Sequence, residues 1–305
     1  MAWDGPEELA FIVNPHSGGG GGDRLYTHIA PMVREHGIQV ATFETTLHGA
    51  AWAVEKALDT GFREIWVIGG DGTIQQCLHQ IIEAGAVLGP IPAGTGNSLV
   101  EIIGHSANPV AQARWMLQQP VVSIDVGACN DHLFSIRAGV GFEAKVAREV
   151  EDDKSGLGYL AYAVAGLRAA GRAQPYSCTL RSEGEVIYEG DMLAAIFSNV
   201  PLRSYLQMPG RRVADPADGK LHTLIVRQRP NLAALWSWVR GERVSPEDAA
   251  AVMEHAAPTF ELSVDGGAEV HLDGETAGEA DSFLCEVRPQ ALRVRGVKPS
   301  GTPDA

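Results

Sequence analysis

The chain has 305 residues, 45% of them hydrophobic, which is enough for two ordinary domains with proper cores. Its formal net charge of -14 leaves no broad basic field to displace counterions from a phosphate backbone, and this excludes a general nucleic-acid binder. Cysteines at 77, 129, 178 and 285 show neither Cys-x-x-Cys pairs nor zinc spacing with histidine, so they read as reduced core residues.

Residues 1–9 are acidic and lack the charged-then-apolar pattern of a secretory signal. The longest apolar run, 159–167, falls short of the roughly 20 residues a membrane-spanning helix needs and ends at Arg168. A soluble, cytoplasmic protein is expected.

A first strand is predicted over 9–13, running into Asn14-Pro15-His16-Ser17 and five glycines, 18–22. A helix follows over 23–36, a strand over 38–43, then Thr45 and Thr46, a helix over 50–58, a strand over 65–68 and a helix over 75–84. Strands alternating with helices of this length indicate a parallel α/β sheet, whose carboxyl-end loops should hold the ligand.

Two of those loops are glycine-bracketed: Gly69-Gly70-Asp71-Gly72-Thr73, and Pro92-Ala93-Gly94-Thr95-Gly96-Asn97. Glycines at a strand's end let backbone N–H groups approach an anion, and the following helix N-terminus adds a positive dipole end, so the pair reads as a polyphosphate site. Asp71 stands among three glycines there and is expected to handle a metal or a proton, because a bare carboxylate would repel phosphates.

From about 121 the pattern changes to short alternating segments: 121–126, 133–136, 177–180, 193–197, 221–226, 259–264 and 292–297. These predict an antiparallel second domain, interrupted by helices near 158–170 and 232–240. The division expected is 1–125 and 126–305, with the last strand returning to the first domain. The second of those helices is apolar and aromatic with a cationic end, suited to a headgroup layer, although Trp236 and Trp238 lie two apart and cannot share one helical face. Its plain alternative is a helix packed on the second domain.

Taken singly, each motif has an ordinary reading. Gly-Gly-Asp-Gly is a common tight turn, Asp273-Gly274 a hairpin turn with a solvated glutamate after it, Asp218-Gly219 another turn, and the five-glycine run a linker. Their order is what carries weight. Asn14-Pro15 with its glycines, Gly69 to Thr73, Pro92 to Asn97, Asp218-Gly219-Lys220-Leu221 and Asp273-Gly274-Glu275 together resemble the diacylglycerol kinase catalytic family, which includes bacterial soluble lipid kinases and the sphingosine and ceramide kinases.

The resemblance spans roughly residues 9 to 297 and implies a Rossmann-like, NAD-kinase-like α/β domain plus a mostly antiparallel β-sandwich-like domain, with the active site between them. It implies transfer of the ATP γ-phosphate to a lipid hydroxyl, of diacylglycerol or sphingoid type, with Mg²⁺. Asn14, Thr45 (Thr46 being adjacent), Gly69, Gly70, Asp71, Gly72, Thr73, Gly94, Thr95 and Asn97 then fall at nucleotide-side positions. Glu275 matches the proton acceptor, with Asp71 as the phosphate-side carboxylate, or these roles reversed. Asp218, with main-chain oxygens near Asp215 and Lys220, matches a structural magnesium site. Implied partners are ATP and a hydroxyl-bearing lipid reached by transient membrane-surface contact, with the protein peripheral to the membrane when acting; homodimers are common in the family.

Three departures stand out. Gln75-Gln76 and His79-Gln80 replace the usual Asn-Glu and Asn-Gly, Ser98 stands where diacylglycerol kinases usually carry aspartate, and Val200 to Tyr205 replaces a glycine-rich loop. A small residue at 98 is closer to the sphingoid-base kinases. The rival readings are an NAD-kinase-like enzyme, which shares the Gly-Gly-Asp-Gly loop, and a non-catalytic nucleotide- or lipid-binding regulator.

Overall fold

The structure is a computed structural model that describes residues 5–45, 48–94, 97–103, 108–141, 174–201, 215–228 and 251–296. The expected helices near 158–170 and 232–240, Thr46, Thr95 and the loop 202–205 lie outside these residues. The chain divides into two compact units: residues 1–125 with 215–217 and 290–305, and residues 126–214 with 218–289.

The first unit is a parallel α/β layer. In chain order it carries β1 (Glu8–Val13), α1 (Ser17–Gly20), α2 (Gly22–Glu35), β2 (Gln39–Glu44), α3 (Gly49–Asp59), β3 (Glu64–Gly69), α4 (Asp71–Glu83), β4 (Val87–Pro92), α5 (Ser98–Ile102) and α6 (Pro109–Met116). β3 and β4 are buried at every position, as strands covered on both faces must be, which is why residues 65–68 and Val87–Pro92 carry no polar side chain. β1 lies between β2 and β3, and β4 flanks β3 on its other side, all parallel. Ile29, Ala30 and Val33 of α2 pack with Phe11, Trp66 and Ile68 of the sheet, and Phe11 meets Trp66 edge-on at 5.8 Å.

The second unit is mostly antiparallel. β5 (Val121–Cys129) leads into it, followed by β6 (His132–Phe134), β7 (Arg137–Gly141), β8 (Tyr176–Ser182), β9 (Glu185–Met192), β10 (Ala194–Ser198), β11 (Leu221–Val226), β12 (Val252–Ala257), β13 (Thr259–Leu272) and β14 (Glu275–Arg295). β12, β11, β10, β7, β13 and β14 form one ladder in that order, while β8 pairs with β13 and β9 with β8. Phe134, Phe197, Phe260 and Phe283 centre its core. The fold is thus an α/β domain followed by a mostly antiparallel β domain.

The last residues of β14 belong to the first unit, where Arg293 and Val294 pair in parallel with Val87 and Leu88 of β4. Arg295 fixes this return: its Nε and Nη2 donate to both oxygens of buried Glu64 at 2.8 and 3.2 Å, and its Nη1 donates to the Gln119 carbonyl at 3.0 Å. The Trp66 indole N–H completes the Glu64 shell at 2.9 Å.

Two predicted boundaries differ in ways that matter. α4 begins at Asp71 and not at Gln75, because extended Gly70 serves as its N-cap and puts Asp71 in the first turn. β13 runs eight residues past the expected end at 264, because Asp265-Gly266-Gly267 forms an irregularity within the ladder, with a register shift between Ser263 and Ala268, and does not terminate it. The glycine run is no linker: it forms the turn of α1 and the start of α2. All four cysteines are buried free thiols. Among the described residues no helix is long and apolar enough to cross a membrane.

Candidate active site

The carboxyl ends of β1, β3 and β4 are neighbours, so the loops after them are brought together by strand order alone. The close fit depends on glycine. A Cβ on Gly94 would stand 2.7 Å from the Gly70 Cα, and one on Gly70 would stand 3.2 Å from the Gly94 Cα, so the two loops meet backbone against backbone. A Cβ on Gly69 would fall 2.6 Å from that of Thr73.

Polar side chains lock this junction. Asn14 donates through Nδ2 to Thr73 Oγ1 at 3.0 Å and accepts the His16 N–H on Oδ1, while its own N–H donates to the Ile68 carbonyl. Asn97 takes the left-handed conformation (φ 58°), and its side chain closes a ring on Gly94, accepting that residue's N–H at 2.9 Å and donating to its carbonyl at 2.7 Å. Thr45, at the end of β2, donates its N–H to the Val13 carbonyl.

Asp71 lies in the first turn of α4, and the Gly70 cap supplies no side chain to the turn's N–H groups. Such groups have no partner within the helix and attract anions. Asp71 Oδ2 accepts both the backbone N–H (3.1 Å) and the hydroxyl (3.3 Å) of Ser98, one of the departures in the sequence. Three residues further along α5, Glu101 has its carboxyl pushed above the usual carboxylate range, first by burial and then by the charge of Asp71. Gln76, another departure, accepts the Ala50 N–H of α3 at 3.4 Å and so serves helix packing.

In the second unit, Asp273 (φ 52°) and Gly274 (φ 102°) form a two-residue turn with both dihedrals positive, joining β13 to β14. Glu275, the first residue of β14, pairs with Leu272 and is exposed. Asp273 is no solvated turn residue. Its Oδ2 accepts the Ser135 N–H (2.7 Å) and hydroxyl (3.0 Å), and its Oδ1 accepts the N–H groups of Ile136 and Arg137, both at 2.9 Å.

The residues matched to magnesium make local turns. Asp215 Oδ1 accepts the Ala217 N–H, Asp218 Oδ1 accepts the Lys220 N–H, and Asp218 Oδ2 meets His222 Nε2 at 3.0 Å. Carboxylate and carbonyl oxygens suit a hard cation, and each of these carboxylate oxygens keeps a lone pair beside its hydrogen bond. Among the described residues no group of three or more His, Cys, Asp or Glu is disposed to hold a metal. Buried Asp125 supports the Asp215 segment, its N–H donating to the Pro216 carbonyl and its Oδ1 accepting the Gln290 N–H.

The pairings Asn14–Thr73, Ser98–Asp71 and Ser135–Asp273, together with the place of Asp125, are not evident from sequence. Each partner is an ordinary polar residue, and only the fold brings it across 27 to 138 positions.

Residues 8–129 match the diacylglycerol kinase catalytic domain, and residues 136–296 match the YegS C-terminal NAD kinase beta sandwich-like domain. These domains define a kinase acting on an alcohol group, of the general lipid-kinase class. The chain belongs to the diacylglycerol kinase catalytic-domain family, in its YegS-like branch. A relative from Pseudomonas aeruginosa (strain UCBPP-PA14), named "Probable lipid kinase YegS-like", is 31% identical over 276 residues, 88% of each chain. The crystal structure of a diacylglycerol kinase from Bacillus anthracis str. Sterne has a TM-score of 0.71 at 18% identity, covering 95% of this chain and 97% of that one. An NAD kinase from Archaeoglobus fulgidus, solved with ATP, has a TM-score of 0.52 at 14% identity, covering 94% and 92%, a likeness of fold alone.

Proposed function

We propose that this chain transfers the γ-phosphate of ATP to the hydroxyl of a diacylglycerol or sphingoid-type lipid. The observation that carries the reading is the junction at the N-terminus of α4, where Gly70 and Gly94 meet backbone to backbone and Asp71 is fixed by Ser98. It is a rigid, backbone-lined place for a phosphate chain.

Asn14, Thr45, Gly69 to Thr73, Gly94, Thr95 and Asn97 would hold the nucleotide. ATP supplies the phosphoryl group when bound, and Mg²⁺ would neutralise charge on it; Asp218, with main-chain oxygens near Asp215 and Lys220, would hold a second, structural magnesium. The α4 amides would bind phosphate oxygens, and Asp71 would help hold the magnesium that neutralises them. Glu275 accepts the proton of the attacking hydroxyl, so that the lipid oxygen forms its bond to phosphorus as the bond to the ADP oxygen breaks. Accessibility supports this division of roles: Asp71 Oδ2 is already engaged by two donors, whereas Glu275 is exposed. The acceptor is reached at a membrane surface, with the protein otherwise cytoplasmic.

The test is incubation of the full chain with γ-labelled ATP, Mg²⁺ and separate mixed micelles of dioleoylglycerol and sphingosine, with NAD in a parallel reaction. Label in either lipid is the expected result. Label in NAD alone identifies an NAD kinase, and label in none of the three leaves a nucleotide- or lipid-binding regulator.

A further inference from the structure

Four donors converge on the Asp273 carboxylate, and the chemistry above does not use it. Three consecutive backbone N–H groups, from Ser135, Ile136 and Arg137, together with the Ser135 hydroxyl, converge on its two oxygens at 2.7 to 3.0 Å. In the same direction the Asp273 N–H donates to the Arg137 carbonyl at 2.9 Å. The turn is therefore tied by five hydrogen bonds to the link between β6 and β7. That link is itself held on its far side by buried Asn199, whose N–H donates to the Ile136 carbonyl and whose Nδ2 donates to the Ser135 carbonyl at 3.4 Å.

Successive N–H groups pointing at one carboxylate form an anion cradle of fixed geometry, and hydrogen bonds to an ionised acceptor are about twice as strong as neutral ones. Glu275 lies two residues beyond this anchor, across Gly274. A bare two-residue turn at the tip of a long hairpin would leave it free to sway. General-base catalysis requires the carboxylate within hydrogen-bond reach of the hydroxyl, and displacement of about 1 Å costs on the order of 100-fold in rate.

We infer that Asp273 is a positioning residue: its carboxylate, cradled by the Ser135–Arg137 backbone, holds the β13–β14 turn so that Glu275 is fixed for proton transfer. This inference rests on the proposed role of Glu275 and adds the device that aims it. Asp273 touches neither substrate nor nucleotide in this role.

The test compares Asp273→Asn, Ser135→Ala and Glu275→Gln with the unaltered full chain, using γ-labelled ATP and dioleoylglycerol or sphingosine micelles. Thermal stability is read with and without ATP. Asp273→Asn replaces one acceptor oxygen by a donor facing N–H groups, so kcat should fall at least about 30-fold while KM for ATP stays within about twofold. The rise in Tm on adding ATP should persist, which a general loosening of the fold would not allow. Ser135→Ala removes one of the four bonds to the carboxylate and should lower kcat by about threefold, again without changing KM for ATP.

Turnover by Asp273→Asn within about twofold of the unaltered chain, beside an inactive Glu275→Gln, overturns the inference and leaves the kinase reading standing. Loss of ATP binding together with turnover also overturns it. If Asp273→Asn does not fold, Ser135→Ala decides: unchanged kcat refutes the positioning role. An active Glu275→Gln, or an unaltered chain that labels neither lipid, overturns the underlying reading and the inference with it.

Discussion

Glu101 links the charge of Asp71 to a measurable property. The carboxyl of Glu101, an exposed residue, is raised in the fold by partial desolvation first and by Asp71 second, so folding favours the protonated form. The unfolded chain gives up that proton near pH 4.5, the folded chain at a higher pH, and stability is therefore lost as pH rises between the two. Glu101→Gln, which never ionises, should raise Tm by about 1 °C at pH 7, and the gain should vanish below the ordinary glutamate value. A difference between the two proteins that does not change from pH 4 to pH 8 would mean that the Glu101 carboxyl is not raised in the fold. At this scale the sequence was informative where glycine was required by close approach, as at Gly70 and Gly94, and silent where partners are remote. Ser98 also gives its hydroxyl to Asp71, a contact that its place in the sequence did not announce.

Among the described elements, the return of β14 beside β4 pairs residues far apart in sequence and is secured by a buried ion pair. Arg295 and Glu64 are both buried and joined through two hydrogen bonds, and Glu64 also takes the Trp66 indole N–H. Removing one partner of a buried ion pair strands a charge and costs about 3–5 kcal/mol. Arg295→Met should lower unfolding free energy in urea by that amount, and adding Glu64→Gln should recover part of it; a loss below about 1 kcal/mol would show the pair to be dispensable. β1, β2, β3, α2 and α3 were legible because the buried strands leave short apolar runs between helical segments. The short helices α1, α5 and α6, the strands β7, β9 and β12, the distal part of β13 and most of β14 were not. β9 and β12 carry exposed and half-buried positions without a clean two-residue alternation, and β13 tolerates a Gly-Gly irregularity that in isolation signals a turn. The start of α4 was misplaced because glycine and aspartate have weak helix propensity, while the Gly70 cap and the bond from Ser98 to Asp71 override it.

For the whole molecule, the two units contribute different chemistry. The first offers a glycine-lined helix terminus with one braced carboxylate, and the second an exposed glutamate beside an anchored turn. A net charge of -14 gives the chain no general attraction to anionic surfaces, so recognition of a lipid must reside in local features. The account stands on the separation of nucleotide binding from proton removal, and the most direct measurement of it is made on Glu275→Gln. ATP affinity by calorimetry and label transfer into extractable lipid should be followed on the same preparation. The account predicts a dissociation constant for ATP within about twofold of the unaltered chain and transfer reduced by at least about 100-fold. Transfer at the unaltered rate would contradict it.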